Sequence, residues 1–232
     1  MAFPLVVFDL DGTLVDTAPD LVATLNEILA REGLPPVDYD AARNMVGGGA
    51  RMMVERGFAA AGRTPSANTL EQYTRDFIDH YANHIADASE PFPGVEAALD
   101  TLAERGYRLA VCTNKLEWLS VRLLEALGLS KRFSVICGPD TFGVSKPNPK
   151  ILQRTIARTG AAGAGAVMVG DSLTDIATAR AAAVPVIAVN FGYSDTPVAA
   201  LAPDRIISRF SELPDAVVAL IGGVESEFLP NS

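Results

Sequence analysis

Asp9 and Asp11, in the run DLDGTLVD at residues 9–16, are two carboxylates one residue apart, directly after an apolar segment. Unit charges about 4 Å apart repel by roughly 4 kcal/mol at an effective dielectric near 20, so such a pair calls for a cation nearby. A divalent metal meets that need. One carboxylate facing the metal and a reacting centre can then act as nucleophile, and the other as general acid and base. Two plainer readings compete. Asp-rich turns are common, and a calcium loop would place Gly sixth in its run, after a helix. Counting from Asp9 the sixth residue is Leu14. The preceding FPLVVF is too short for a helix and rich in β-formers, so a strand leads into the pair and the calcium reading fails.

Three further clusters carry chemistry. Thr113 closes an apolar strand in VCTNK (111–115). Its hydroxyl can donate to a phosphoryl oxygen, and the turn at Asn114 can add backbone N–H groups. Lys146 stands in SKPNP (145–149), just before a helix start marked by Asn148 as N-cap and Pro149 at the first helical position. A solvated lysine is the plain alternative, but Pro147 and Pro149 stiffen its surroundings. Asp171 ends the apolar strand of VMVGDSLTD (167–175), with Asp175 one turn into the next helix. Gly170 permits close backbone approach there, and Ser172 is a plausible N-cap.

Periodicity supplies the elements that must hold these side chains. After the first strand, helices are expected at 18–31, 41–46, 50–61 and 69–85, with a glycine break at 47–49. The stripe Tyr73, Phe77 and Tyr81 reads as core packing. Residues 17–87 hold no strand candidate and are read as an inserted helical subdomain. Residues 1–16 and 88–232 form the α/β core. There, strands at 107–112, 134–136, 166–169, 186–189 and 205–208 alternate with helices at 95–105, 116–127, 149–159, 173–182 and 211–221. That alternation predicts an α/β fold, a Rossmann-like parallel sheet with helices on both faces. The small-residue patch at 160–166 is expected to be a turn, and 222–232 a frayed end.

Composition narrows the function. With 49% apolar and 20% charged residues the 232-residue chain has ample material for a core. A net charge of −9 argues against nucleic acid or an anionic membrane as partner. No stretch approaches the roughly 18 apolar residues of a membrane span. The two cysteines, Cys112 and Cys137, form no metal pair and are expected to be reduced, in a cytoplasmic protein. Gly47-Gly48-Gly49 has Met52 where a dinucleotide loop needs glycine, so it receives no cofactor role. His80 and His84 share a helix face without spelling a zinc motif.

Taken together, VVFDLDGTLVD, a Thr after an apolar strand, KPNP and GDSLTD resemble the four ordered motifs of the haloacid dehalogenase-like hydrolase superfamily. The resemblance implies that Asp9 forms an aspartyl-phosphate, while Asp11 protonates the leaving alcohol and then deprotonates water. It implies that Thr113, the backbone or amide of Asn114, and Lys146 hold the phosphoryl oxygens. It also implies a metal held by Asp9, by Asp11 through its backbone carbonyl, and by Asp171. Asp175 completes this set, through water or by orienting Lys146. Magnesium suits such oxygen donors. The helical insertion resembles the small cap of these enzymes, and Asp11 argues against the metal-free dehalogenases. Longer stretches, including FPGV (92–95) and GYSDTP (192–197), resemble the phosphoglycolate phosphatase branch. The implied substrate is a small phosphorylated metabolite, foremost 2-phosphoglycolate, with Arg51 (or Arg43) pairing its carboxylate. A sugar-phosphate phosphatase or a β-phosphoglucomutase-like enzyme would share the core residues. A phosphorylated receiver domain would explain neither the insertion nor Asp11. A monomer or a homodimer fits equally.

Overall fold

The apolar run before Asp9 forms strand β1 (Leu5–Phe8), every residue of it buried. In the computed structural model, which describes residues 3–161 and 165–222, β1 is followed by a two-residue strand, β2 (Val15–Asp16). That strand pairs antiparallel with β3 (Glu90–Pro91). The remaining strands are β4 (Arg108–Cys112), β5 (Val135–Cys137), β6 (Ala166–Gly170), β7 (Val186–Val189) and β8 (Arg205–Ile207). With β1 they build a six-stranded parallel sheet in the order β5-β4-β1-β6-β7-β8.

Alternate residues of a strand face opposite sides, and both sides here are covered, so the strands read as unbroken apolar runs. Val6 and Phe8 share one core with Leu109, Val111, Val167 and Ile187. Leu5 and Val7 share the other with Ala110, Met168 and Val186. The first face is covered by α5 (Val95–Glu104), α6 (Glu117–Ala126) and α10 (Leu213–Ile221). The second is covered by α8 (Pro149–Arg158) and α9 (Leu173–Ala181). After β5 the chain returns to the opposite side of β1. The strand order therefore reverses between β1 and β6, and the crevice beyond their carboxyl ends is where open α/β sheets bind ligands. Asp9 and Asp171 each follow one of these two strands.

Between β2 and β3 the chain is helical: α1 (Ala18–Arg31), α2 (Tyr39–Arg43), α3 (Ala50–Ala60) and α4 (Ala67–Asn83). Leu21, Leu25, Ile28 and Leu29 bury the expected face of α1, and Tyr73 stacks on Phe58 with ring centroids 4.6 Å apart. Gly57 lets α3 approach α1, since a Cβ there would lie 2.5 Å from Leu25 Cδ1. Helix α2 starts earlier than the expected 41–46, because Asp38 caps it by accepting from the N–H groups of Asp40 and Ala41. Several short elements went unread, among them the β2–β3 ribbon and the one-turn helix α7 (Pro139–Phe142). All are too short to show a period.

The ribbon lies beside the expected subdomain limits, 16/17 and 87/88. Asp20, in the first turn of α1, ties it down by accepting from the N–H groups of Ala88 and Ser89 and from Ser89 Oγ at 2.6 Å. Cys112 and Cys137 sit opposite one another on β4 and β5, both buried and unbridged. Among the described residues no helix is long and apolar enough to cross a membrane. The expected frayed end lies outside the described residues except for Gly222, as do residues 162–164 of the small-residue patch.

Candidate active site

Asp9 is the residue after β1, and Asp171 the residue after β6, its neighbour in the sheet. The register Phe8↔Val111 brings Thr113, just past the end of β4, to Asp9's other side. Lys146 and Asp175 enter from α8's approach and from the first turn of α9. The sheet thus gathers residues that are more than 160 positions apart in the chain.

Lys146 Nζ lies 2.7 Å from Asp9 Oδ1 and 2.6 Å from Asp175 Oδ1, with all three side chains buried. Asp175 Oδ2 accepts from Ser172 Oγ at 2.6 Å and from the N–H groups of Asp171 and Ser172, a capping box that stiffens the turn. Gly170 is required here, because a Cβ would fall 2.4 Å from Asp175 Cβ. Asp171 accepts from Thr13 Oγ1 at 2.9 Å and from the Tyr193 N–H at 2.7 Å.

Burial raises the Asp9 carboxyl to about 8, with repulsion from Asp175 adding to it. The same two causes raise Asp171 to about 7. Burial alone would lower the Lys146 ammonium, but Asp175 and Asp9 outweigh it and hold the group above its usual value. Asp9, Asp171 and Asp175 offer carboxylate oxygens all within 4.8 Å of one another. Asp9 Oδ1 is fully buried, and the Lys146 ion pair leaves it without a well-aligned hydrogen bond. Three buried carboxylates against one ammonium leave an excess of negative charge on hard oxygens, which fits a small divalent cation such as Mg²⁺.

Asp11 turns its carboxylate the other way. Its Oδ1 accepts from Thr17 Oγ1 at 2.7 Å and pairs with Lys115 Nζ at 2.9 Å. Asn114 spends its side-chain amide on bracing loops: Oδ1 accepts from the Lys146 N–H, and Nδ2 donates to the carbonyls of Lys146 and Gly47. That leaves only its backbone for a phosphoryl oxygen. Arg43 donates to the Phe191 carbonyl and lies over the Tyr193 ring, whereas Arg51, at the start of α3, lines a cavity between the helices α1, α3 and α4 and the loop after β4. The cavity holds about 230 Å³ and is walled by Leu21, Met53, Phe77, Ile78 and Leu119, with Asp11 and Lys115 at its polar end.

Three residues were missed from sequence. Lys115 entered the sequence reading only as the last residue of VCTNK and was given no role, yet it is 7% exposed. Tyr193 N–H holds Asp171, and its hydroxyl accepts from the Ala18 N–H, joining the Asp171 turn to the start of α1. Tyr81 packs in the expected stripe, but its hydroxyl also accepts from Lys115 Nζ at 2.9 Å and it lines the cavity.

A Rossmann-like sheet with a helical segment after its first strand and an acidic cluster at its switch point defines a recognisable class of hydrolase. The family model for haloacid dehalogenase-like hydrolases matches residues 6–189, and the chain belongs to that family. Among its relatives is the phosphoglycolate phosphatase of Mesorhizobium japonicum, 47% identical over 92% of this chain and 94% of that protein. The phosphoglycolate phosphatase of Caulobacter vibrioides is 48% identical over 93% of this chain and 91% of its own length. A crystal structure described as a predicted phosphoglycolate phosphatase from Haemophilus somnus superposes with a TM-score of 0.84. It is 29% identical and covers 92% of this chain and 97% of the other.

Proposed function

We propose that this enzyme hydrolyses 2-phosphoglycolate to glycolate and phosphate with Mg²⁺, through a phosphoryl group carried on Asp9, beneath a cap of residues 17–87. The observation that carries the reading is the buried trio Asp9, Asp171 and Asp175 at the switch point, three carboxylates with one ammonium among them, 2.7 Å from Asp9 Oδ1. The relatives described above support the substrate, and so does the size of the cavity. Its 230 Å³ lies below the usual range for drug-sized ligands, so it suits a leaving group of few atoms.

Asp9, Asp171 and the backbone carbonyl of Asp11 would hold the metal, with Asp175 behind them. When bound, Mg²⁺ supplies positive charge that draws the phosphoryl oxygens in and relieves the repulsion among the carboxylates. Asp9 attacks phosphorus, and the bond to the ester oxygen breaks. Asp11 gives its proton to the departing alkoxide. Asp11 then takes a proton from water as the water attacks the aspartyl-phosphate, releasing phosphate and restoring the Asp9 carboxylate. Lys146, Thr113 and the backbone at Asn114 steady the oxygens of the transferring group, where positioning and electrostatics do most of the work. Asp175 keeps the Lys146 ammonium in place. The cap keeps bulk water out during transfer. Arg51, exposed where the cavity opens, attracts the anion as it enters.

Phosphate release from a panel of small phosphate esters, with and without Mg²⁺, tests the reading. We expect metal-dependent turnover fastest on 2-phosphoglycolate, and a loss of about a thousandfold or more in Asp9→Asn, since an amide is a poor nucleophile. An Asp9→Asn enzyme retaining a tenth of the activity would remove Asp9 from the chemistry.

A further inference from the structure

We infer that Lys115 is the specificity-determining residue of this enzyme, its ammonium binding the carboxylate of the leaving group. The inference rests on the phosphatase reading above and extends it to a residue of the cavity.

Among the described residues two lysines are buried, Lys115 and Lys146. Lys146 is committed to Asp9 and Asp175 on the phosphoryl side. Lys115 lies on the opposite side of the Asp9–Asp11 loop, where it lines the apolar cavity that the leaving group must occupy. A lysine of such low exposure, placed against apolar walls, is costly unless it is paired. It has two partners here, Asp11 Oδ1 at 2.9 Å and Tyr81 Oη at 2.9 Å. An ammonium has three N–H donors, so one remains for a ligand.

The position fits one chemical class. Asp11 delivers its proton to the ester oxygen, so that oxygen must come within hydrogen-bond distance of the Asp11 carboxylate. Lys115 Nζ is itself at hydrogen-bond distance from that carboxylate. An anionic group one methylene away from the ester oxygen, as in 2-phosphoglycolate, therefore falls within reach of the ammonium. A carboxylate entering the cavity needs such a cation, because the apolar walls offer it nothing. A neutral alcohol does not need one. Tyr81, from cap helix α4, holds the ammonium by its hydroxyl and lies under it, with Nζ 4.3 Å from the ring centroid. The selectivity device is thus assembled from both subdomains, and is complete when the cap sits on the core as it does here. Arg51, exposed on the same cavity, steers the anion, and Lys115 makes the buried contact.

The test compares kcat and KM for 2-phosphoglycolate and for its carboxylate-free counterpart, 2-hydroxyethyl phosphate, in wild type, Lys115→Met, Lys115→Arg and Tyr81→Phe. Losing one side of a buried charge pair costs about 30-fold or more in affinity. Lys115→Met is therefore expected to lower the preference for 2-phosphoglycolate over 2-hydroxyethyl phosphate by about 30-fold or more, mainly through KM. Lys115→Arg is expected to recover part of it. Tyr81→Phe, which keeps the ring and removes the hydroxyl, is expected to lower the preference by a smaller factor. It serves as the test even if Lys115→Met does not fold. Glycolate should inhibit the wild type competitively, and Lys115→Met far less. Equal losses on both esters in Lys115→Met and Tyr81→Phe would overturn the inference while leaving the phosphatase reading intact. A wild type that releases phosphate from neither ester would overturn both.

Discussion

Asp20 offers a quantitative test of how the helical segment α1–α4 is fastened where it meets β3. Its carboxylate is 5% exposed and accepts from the Ala88 N–H at 3.0 Å, the Ser89 N–H at 2.8 Å and Ser89 Oγ at 2.6 Å. Hydrogen bonds to a charged partner contribute about 1.5–3 kcal/mol each, and a buried donor left unpaired costs about 1–3 kcal/mol. Ala88 is exposed and can turn to water, so its share is discounted. Ser89 is buried, and its two donors would be stranded. Asp20→Ala should therefore lower stability by about 3–5 kcal/mol. For a chain of this size that corresponds to a fall in Tm of roughly 6–20 °C. Asp20→Asn keeps one acceptor oxygen but turns an NH₂ group toward donors, so we expect a smaller loss, about 1–3 kcal/mol. Calorimetry and urea unfolding read both values. Hydrogen exchange should show faster exchange at the Ala88 and Ser89 amides in Asp20→Ala. A double-mutant cycle with Ser89→Ala should give a coupling of about 1 kcal/mol or more, because the two side chains share a bond. A loss below about 1 kcal/mol in Asp20→Ala, or additivity in the cycle, would refute the idea that this carboxylate fastens the crossing point.

Three other substitutions or conditions follow from the site. A Cβ on Gly192 would lie 2.2 Å from Asp171 Cβ, so Gly192→Ala should displace Asp171 and weaken Mg²⁺ binding at least tenfold by titration; unchanged affinity would count against Asp171 as a ligand. Asp175→Asn removes a charge from Lys146 and should reduce kcat far more than it raises KM; an effect confined to KM would contradict its positioning role. In the metal-free protein, folding raises Asp9 to about 8 and Asp171 to about 7 from an ordinary 3.8. The folded state then holds more protons than the unfolded one from about pH 4 to 8, so these groups cost stability as pH rises through that window. Mg²⁺ binding must expel those protons, so the Tm gain from saturating Mg²⁺ should grow between pH 5 and 8. A gain that stays flat across that range would contradict it.

Much of this molecule was legible in one dimension. Phe3–Phe8 is too short and too apolar for anything but a buried strand, and Leu21, Leu25, Ile28 and Leu29 recur at helical spacing. Parallel strands covered on both faces leave such runs because every position meets a core. The four motif residues were legible for a related reason. A strand end followed by a helix cap needs particular local residues, and Ser172, Asn148 and Gly170 supply them next to the side chains they position. Signals that depend on partners distant in the chain were not legible. The β2–β3 ribbon has two residues per strand, and Asp20 looks like any acidic residue in a first helical turn until Ser89 is seen beside it.

The sequence by itself determined which chemistry was possible: carboxylates, a hydroxyl and a lysine at the ends of apolar strands, in an order with few other uses. Local spacing governs strand ends and caps, so those residues could be named from the chain alone. Tertiary structure alone decided what each charge faces. Lys115 and Lys146 are both lysines just past loop turns, and only the folded chain sets one against Asp9 and the other against Asp11, Tyr81 and an apolar cavity. Desolvation and charge pairing depend on every neighbour in space, and those neighbours come together only when the chain folds.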